Sequence, residues 1–179
     1  MRCNLDALKE KIRNIPDFPI PGINFKDVTT LFKDSASFRM AVDRLAAEYA
    51  DKPIDLVAGI EARGFMLAPV LAYLLNKGFV PLRKSGKLPA ETRQIDFKLE
   101  YGTANLEIHL DALQTGTRVL VVDDLLATGG TAAAACQLVE DVGGVVAGVG
   151  FLIELSYLGG RQQLGEWPIF SLLKYESEA

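Results

Sequence analysis

The segment RVLVVDDLLATGGT, residues 118–131, constrains the fold of this chain more than any other part of the sequence. The β-branched run at 118–122 predicts a strand that is buried on both faces. A helix is predicted at 131–142, after two acidic residues and a short loop with adjacent glycines. A strand, a loop and a helix in this order form the repeating unit of sheets with parallel strands.

Short apolar runs alternate with helix-length segments along the rest of the chain. Strands are predicted at 54–60, 79–82, 104–110, 145–153 and 169–173, and helices at 5–15, 35–50 and 64–76. The polar stretch at 88–101 is interpreted as a mobile loop. Because strands that alternate with helices form right-handed βαβ units, the expected fold class is α/β, with a mostly parallel twisted sheet flanked by helices. Ligands of such sheets bind beyond the carboxyl ends of the strands.

The composition excludes several kinds of chemistry. With 179 residues the chain has the size of one domain, and it contains one histidine, His109, and two cysteines, Cys3 and Cys136. Two-histidine metal sites, zinc clusters and disulfide frameworks are therefore excluded, which leaves carboxylates, cations, hydroxyls and backbone amides. The net charge of −4 argues against a nucleic-acid partner. The sequence shows no apolar signal core and no membrane-length apolar run, so a cytoplasmic protein without a membrane partner is expected.

The loop after the strand at 118–122 has the features of a phosphate site. Turn amides and the first unpaired N–H groups of the following helix converge on it, and its glycines let the backbone approach a ligand closely. Asp123 and Asp124 come directly before it and suit a ligand whose hydroxyl groups lie near a phosphate, as in a ribose 5-phosphate. The alternative is an ordinary loop with a threonine helix cap and an acidic pair at the surface. A Walker loop is excluded because no G-K-[ST] follows.

Two further charged segments follow predicted strands. Glu61 and Arg63 lie between the strand at 54–60 and a helix whose amide end can face an anion, although a helix start with a salt bridge is the alternative. The segment at 83–87 places three cations within five residues. This density suits an anionic ligand, and a solvated loop is the alternative.

The segment VLVVDDLLATGGT resembles the phosphoribosyl-diphosphate (PRPP) signature of the type I phosphoribosyltransferases, in the form typical of the members that act on adenine. Other segments resemble the same family in order along the chain: IPDFPIPGINFKDVTTLF its N-terminal hood, VAGIEARGF its pyrophosphate loop, VPLRKSGKLP and LEYG the start and end of its flexible loop, and FSLLKYE its C-terminal strand. The resemblance implies the type I phosphoribosyltransferase fold in a single domain, 1–179, with a small hood at about 1–34 and a flexible loop at about 84–102.

The resemblance also implies a reaction and a set of partners. PRPP and adenine would give AMP and pyrophosphate through a transition state with oxocarbenium character, in a purine salvage enzyme that forms a homodimer. The cofactor would be Mg²⁺, which prefers oxygen ligands and substrate phosphates, so no metal ligand is assigned to the protein. A phosphoribosyltransferase for another purine base and a PRPP-sensing regulator without catalysis are the alternatives.

The roles that the resemblance implies fall on separate groups of residues. The 5-phosphate of PRPP or AMP is assigned to Ala127, Thr128, Gly129, Gly130 and Thr131. Pyrophosphate is assigned to Glu61, Ala62, Arg63, Arg83, Lys84 and Lys87. Adenine is expected between Phe25 and Leu126, with the backbone around Asn24 and Lys26 at its edge. The catalytic roles are assigned to Asp123 and Asp124 at the ribose hydroxyls and to Glu100 for the purine proton, and Tyr101 is assigned to the lid.

Overall fold

The structure is a computed structural model that describes residues 5–98 and 102–178. Its α-helices are α1 (Leu5–Lys9), α2 (Thr29–Phe32), α3 (Ser35–Tyr49), α4 (Ala68–Leu74) and α5 (Gly130–Asp141). Its strands are β1 (Arg13–Ile15), β2 (Phe25–Asp27), β3 (Leu56–Ile60), β4 (Gly78–Leu82), β5 (Thr92–Lys98), β6 (Thr103–His109), β7 (Arg118–Leu126), β8 (Val145–Leu155) and β9 (Ile169–Tyr175). Short 3-10 turns lie at Arg63–Met66, Ser156–Leu158 and Gly160–Leu164.

A five-stranded parallel sheet in the order β4-β3-β7-β8-β9 forms the centre of the molecule. β7 lies in the middle of this sheet, because its β-branched residues suit a strand that is covered on both sides. Val119, Leu120, Val121 and Val122 are completely buried. The predicted α/β class with a mostly parallel sheet is confirmed.

Helices cover both faces of this sheet. On one face α3 and α4 pack through Leu45, Leu71 and neighbouring apolar residues. On the other face α5 packs through Cys136 and Leu138. Among the residues described, no helix has the length and apolar character needed to span a membrane.

The strand order determines where a ligand is expected. β3 and β7 are neighbours in the sheet, although β4 follows β3 in the sequence and lies on its other side. The chain therefore turns to opposite sides of the sheet at this pair of strands. Ligands of open parallel sheets bind at such a point, beyond the carboxyl ends of the strands.

The first predicted helix, 5–15, is wrong in its second half, because α1 ends after five residues. β1 follows instead and pairs antiparallel with β2. Of the residues whose helical spacing suggested this helix, Leu5, Leu8, Ile12 and Ile15, only Leu8 and Ile12 are buried, and Leu5 is 38% exposed. The backbone pairing with β2, together with a 2.5 Å ion pair between Arg13 and Asp27 across the two strands, outweighs the helical spacing.

The interpretation of 88–101 as a mobile loop is wrong for the part that forms β5, which pairs antiparallel with β6 along its length. The hairpin contacts α5, and Ile95 and Phe97 pack against the core on that face of the sheet. Ile95 and Phe97 alternate with polar residues, which is the pattern of a strand with one buried face. Residues 99–101 lie outside the described residues, and the flexibility of 84–102 stays a prediction.

Two other elements differ from their predicted bounds near the carboxyl end of the sheet. The predicted helix at 64–76 is divided into the 3-10 turn at Arg63–Met66 and α4, with a proline in the first turn of α4. β7 continues past its predicted end at 122, so Asp123 and Asp124 belong to the strand itself. Leu125 and Leu126, the last two residues of the strand, therefore point to opposite faces of the sheet.

α4 provides a test of the packing that supports this end of the sheet. Leu71 is fully buried, whereas Tyr73 on the same helix is 83% exposed. Leu71→Ala removes buried carbons and leaves a cavity, so we expect it to lower the free energy of unfolding by about 2–5 kcal/mol. Tyr73→Ala is the matched control and should change it by less than about 0.5 kcal/mol. Urea unfolding followed by circular dichroism measures both, and equal effects of the two variants would contradict the packing.

Candidate active site

Three adjoining clefts that share Arg63 lie at the carboxyl ends of β3 and β7. The acidic cleft, of about 360 Å³, is lined by Asp123 and Asp124. The apolar cleft, of about 340 Å³, is lined by Phe25 and Leu125. The loop cleft, of about 180 Å³, is formed by the segment between β7 and α5. The site predicted from the strand order is therefore present and is divided into three parts of different chemistry.

Asp123 and Asp124 place two carboxylates side by side at the buried end of β7. Asp124 is 1% exposed, and its Oδ2 accepts a hydrogen bond from Arg63 Nε at 2.5 Å. Asp123 Oδ1 accepts a hydrogen bond from the backbone N–H of Asp124 at 2.8 Å. Burial raises the pKa of Asp123 well above its usual range, and the adjacent charge of Asp124 adds to the rise. A further positive charge in the acidic cleft would therefore be stabilised.

Glu61 lies at the end of β3 and is held by the cationic segment that follows β4. Its carboxylate accepts hydrogen bonds from Arg83 Nε at 3.2 Å and Nη2 at 3.0 Å, and from the backbone N–H of Lys84 at 3.1 Å. The hydrogen bonds from Arg83 lower the pKa of Glu61. Of the residues predicted to bind pyrophosphate, the acidic cleft is lined by Glu61, Ala62, Arg63 and Lys84, whereas Arg83 and Lys87 lie outside its lining.

The cationic segment, residues 83–87, is held against β6 by a buried carboxylate that was not identified from the sequence. Glu107 on β6 is 6% exposed and accepts hydrogen bonds from Ser85 Oγ at 2.7 Å and from the backbone N–H of Gly86 at 3.1 Å. The Arg83 backbone also exchanges hydrogen bonds with that of Glu107. Residues 84–87 are exposed, as in the alternative of a solvated loop, but these hydrogen bonds hold the segment against β6.

The five residues predicted to bind the 5-phosphate lie together in the loop cleft. Gly129 has a φ of +90°, a conformation that glycine adopts without strain, and α5 begins directly after it. Because Gly129 has no side chain, the alternative of a threonine cap is not met. Thr128 and Thr131 line the loop cleft and the apolar cleft, so the loop borders both. The first N–H groups of α5 provide donors and a favourable dipole for an anion in this place.

The prediction that Leu126 faces Phe25 is wrong by one residue. Leu125 lines the apolar cleft with Phe25, whereas Leu126 is 1% exposed and packs in the core beside α5. Because both leucines belong to β7, their side chains point to opposite faces, and only one of them can line this cleft. Leu126 borders the loop cleft and not the apolar one.

Asn24 and Lys26, on either side of Phe25, also line the apolar cleft. Lys26 is only 2% exposed, and its Nζ lies 4.5 Å from the centre of the Tyr175 ring. Burial lowers the pKa of Lys26. Asn24 donates a hydrogen bond from Nδ2 to the carbonyl oxygen of Glu178 at 3.0 Å. Both polar side chains thus contact the C-terminal part of the chain, although the Oδ1 atom of Asn24 is buried without a hydrogen-bond partner among the residues that the structure describes.

Arg63 joins the acidic cleft to the apolar cleft. Its Nε is bound to Asp124, and its guanidinium carbon lies 5.2 Å from the centre of the Phe25 ring. This separation is within the range in which a cation is attracted to an aromatic face. A ligand that joins a flat ring to a sugar would therefore meet the same guanidinium on both of its parts.

The β5–β6 hairpin adds residues to the acidic cleft that the sequence interpretation missed. Phe97, Ala104 and Asn105 line this cleft. The alternation of Ile95 and Phe97 with polar residues was the signal that could have identified the hairpin. Glu100 and Tyr101, predicted for the purine proton and the lid, lie outside the described residues.

The acidic cleft offers limited metal coordination by the protein itself. Within 5–98 and 102–178, no three His, Cys, Asp or Glu side chains are grouped closely enough to hold a metal ion. Asp123 and Asp124 are oxygen donors of the kind that Mg²⁺ prefers, and Arg63 already occupies one of them. This donor set fits a Mg²⁺ ion that takes most of its ligands from the phosphates of a substrate.

Comparison with known proteins gives relatives that cover nearly the whole chain. Residues 29–163 match the family model of the phosphoribosyl transferase domain. The chain is 59% identical over 168 residues to the adenine phosphoribosyltransferase of Chloroflexus aurantiacus. The aligned region covers 94% of this chain and 97% of that protein. The chain is 58% identical over 169 residues to the adenine phosphoribosyltransferase of Solibacter usitatus, with 94% and 98% covered.

Solved structures give the same result. The adenine phosphoribosyltransferase of Thermoanaerobacter pseudethanolicus matches with a TM-score of 0.94 and 51% identity, over 96% of this chain and 100% of that one. The Saccharomyces cerevisiae enzyme, in a complex with an imino-altritol bisphosphate and adenine, matches with a TM-score of 0.88 and 39% identity, over 94% and 98%. This chain therefore belongs to the phosphoribosyltransferase family, and within it to the adenine phosphoribosyltransferases. The resemblance seen in the sequence and the type I fold are confirmed.

The burial of Asp123 beside Asp124 generates a prediction about stability. Because the pKa of Asp123 is raised in the folded chain, folding loses stability as the pH rises through that folded pKa. Asp123→Asn keeps an acceptor for the Asp124 N–H and carries no charge. We therefore expect the variant to be more stable than the wild type at about pH 8, by a margin that shrinks toward about pH 4. Urea unfolding at both pH values measures this, and a variant that is less stable at the higher pH would contradict it.

Proposed function

We propose that this chain transfers the 5-phosphoribosyl group of PRPP to adenine, with AMP and pyrophosphate as products. The observation that carries the proposal is that three clefts of different chemistry adjoin at Arg63. A glycine loop before a helix suits a phosphate, an acidic pair suits a ribose, and an apolar cleft beside an aromatic ring suits a purine. These are the three parts of AMP. The relatives named adenine phosphoribosyltransferase support the same reaction.

The chemistry takes place at the anomeric carbon of the ribose. The bond from this carbon to the pyrophosphate oxygen breaks, and pyrophosphate leaves with the electron pair. A bond forms from the same carbon to N9 of adenine, and N9 loses its proton. The positive charge that develops on the sugar is stabilised by Asp123 and Asp124. The same two carboxylates accept hydrogen bonds from the ribose hydroxyl groups and so orient the ribose. Since fixed carboxylates meet this charge, no covalent nucleophile is needed.

The two anionic groups of PRPP occupy different clefts in this proposal. The 5-phosphate binds the backbone amides and threonine hydroxyls at 127–131. Pyrophosphate lies in the acidic cleft, where Arg63 and Lys84 supply positive charge beside the backbone of Glu61 and Ala62. For Arg83 and Lys87, which lie outside the cleft lining, the proposed contact with pyrophosphate requires their segment to move toward the ligand.

Adenine lies between Phe25 and Leu125 in this proposal. The aromatic face of Phe25 stacks on the purine, and the guanidinium of Arg63 lies next to both rings. The backbone around Asn24 and Lys26 faces the polar edge of the base. Because the Lys26 ammonium is directed to the Tyr175 ring, backbone groups and not this charge read the base.

Mg²⁺ is the proposed cofactor, held mainly by oxygens of PRPP and pyrophosphate beside Asp123 and Asp124. When bound, it neutralises charge on the leaving group. Glu100 is proposed to take the purine proton, and Tyr101 to belong to a lid that excludes water from the charged sugar. The proposed state of the enzyme is a homodimer in the cytoplasm.

An assay with PRPP, Mg²⁺ and each of four bases tests the proposed function. We expect AMP and pyrophosphate from adenine, and a much lower kcat/KM for hypoxanthine, guanine and xanthine, because these bases present a carbonyl where adenine presents an amine. A preference for an oxopurine would assign the chain to another base. PRPP binding without any nucleotide product would instead support the alternative of a non-catalytic sensor.

A substitution of Asp124 separates catalysis from packing. Asp124→Asn keeps the size of the side chain and an acceptor for Arg63 but removes the charge that stabilises the sugar. We expect kcat to fall by about 10²–10³-fold, with a melting temperature close to that of the wild type. Asp55→Asn is the control, because Asp55 also pairs with an arginine, Arg118, but lies at the opposite end of the sheet. A large loss of stability with little loss of turnover would show that Asp124 is structural.

Two adjacent leucines test the position of the base. Leu125→Ala should raise the KM for adenine about tenfold, because it removes an apolar contact with the purine, and should leave the KM for PRPP nearly unchanged. Leu126→Ala should mainly lower the free energy of unfolding, by about 2–5 kcal/mol. Steady-state kinetics and urea unfolding of both variants measure these effects. If Leu126→Ala raised the KM for adenine and Leu125→Ala lowered the free energy of unfolding, Leu126 and not Leu125 would contact the base.

A further inference from the structure

The loop at 127–131 rests against a second loop behind it. A Cβ atom added at Gly129 would lie 2.3 Å from the carbonyl oxygen of Gly160, and one added at Gly160 would lie 2.1 Å from the carbonyl oxygen of Ala127. Both distances are far shorter than a van der Waals contact, so the two backbones touch and only glycine fits at either position. The place of the loop is thus set from behind by the 3-10 turn at Gly160–Leu164.

An ion pair fixes this turn to the central sheet. Arg161, next to Gly160, donates hydrogen bonds to both carboxylate oxygens of Glu154, from Nε at 2.7 Å and from Nη2 at 2.8 Å. Glu154 is 4% exposed and lies on β8, beside Leu126 of β7. Two parallel hydrogen bonds of this kind fix the direction of the arginine as well as its distance. Leu164, at the other end of the turn, is buried in the core beside α5.

The ion pair keeps a buried charge in place. Burial alone would raise the pKa of Glu154, but the hydrogen bonds and the charge of Arg161, together with Ser171, outweigh burial, so that its pKa lies below the ordinary value. Lys174 on the neighbouring strand adds to the effect. Glu154 is therefore ionised at neutral pH, and removal of Arg161 would leave its charge buried without this partner.

We propose that Gly160, Arg161 and Glu154 are positioning residues for the 5-phosphate of the substrate. They hold the loop at 127–131 so that its amides converge on one point, and none of them lines the loop cleft. The inference rests on the proposed function, because it takes this loop as the phosphate site. A displacement of about 1 Å in such a site is enough to reduce the efficiency of an enzyme about 10²-fold.

Removal of the ion pair should therefore weaken the binding of PRPP and leave the binding of adenine nearly unchanged. For Arg161→Ala we expect the KM for PRPP and the Kd for ribose 5-phosphate to rise about tenfold or more, while the KM for adenine stays within about twofold. Arg118→Ala is the matched control, since Arg118 makes the same two-pronged contact with Asp55 at the far end of the sheet. This control should change neither KM.

Two further variants separate positioning from general destabilisation. Gly160→Ala leaves the ion pair intact and places a methyl group against the carbonyl oxygen of Ala127, so it should give the same selective rise in the KM for PRPP even if Arg161→Ala does not fold. Arg161→Lys keeps the charge but not the planar fork, and we expect it to recover part of the lost affinity. Melting temperatures identify variants that fail to fold.

Steady-state kinetics and calorimetry with ribose 5-phosphate give distinct outcomes. If the folded variants had an unchanged KM for PRPP, or equal rises in the KM for PRPP and the KM for adenine, the positioning role would be overturned. The proposed reaction would not be affected by either result. A wild type that binds ribose 5-phosphate but forms no AMP would refute the reaction, and the Kd of the variants would still measure positioning. A wild type that neither binds ribose 5-phosphate nor forms AMP would overturn both.

Discussion

The pair of adjacent carboxylates at the end of β7, faced by one arginine, is the interaction on which the rest of the site depends. Asp124 is buried and Asp123 is half-buried, and placing them side by side costs free energy, since like charges repel more strongly where water is partly excluded. Arg63 offsets part of this cost at 2.5 Å from Asp124. β7 is held between β3 and β8 in the middle of the sheet, so the carboxylates cannot move apart. The arrangement is more stable when another positive charge, such as that of a reacting sugar, enters the cleft.

The other parts of the site are arranged around this pair by the topology of the sheet. β3 ends beside β7 and delivers Arg63, and the segment after β7 leads through Gly129 into α5. Phe25 comes from the small β1–β2 sheet and reaches Arg63 from the other side. Three separate segments of the chain thus meet at Arg63 and line the three adjoining clefts. Buried contacts behind them, from Glu107 and from Arg161, hold segments that the ligand itself would contact.

The sequence could predict those features that depend on residues close together along the chain. The run at 118–122, the acidic pair and the glycine loop lie in one segment, so their order alone indicated a strand, a charged strand end and an anion site. The parallel sheet followed from the alternation of apolar runs with helix-length segments. The lining of the loop cleft was therefore anticipated closely, whereas the acidic cleft lacks the predicted Arg83 and Lys87 and includes residues of the hairpin.

The features that could not be predicted depend on contacts between distant segments. Which of Leu125 and Leu126 lines the apolar cleft depends on the course of β7 at its end, which its pairing with β8 determines. β5 exists because it pairs with β6 and packs on α5, although its own sequence is polar. Lys26 lies over Tyr175, which is far away in sequence. A crystal structure with AMP tests the account most directly: we expect the phosphate at 127–131, the ribose hydroxyls at Asp123 and Asp124, and adenine between Phe25 and Leu125. A ribose away from the two aspartates would contradict it.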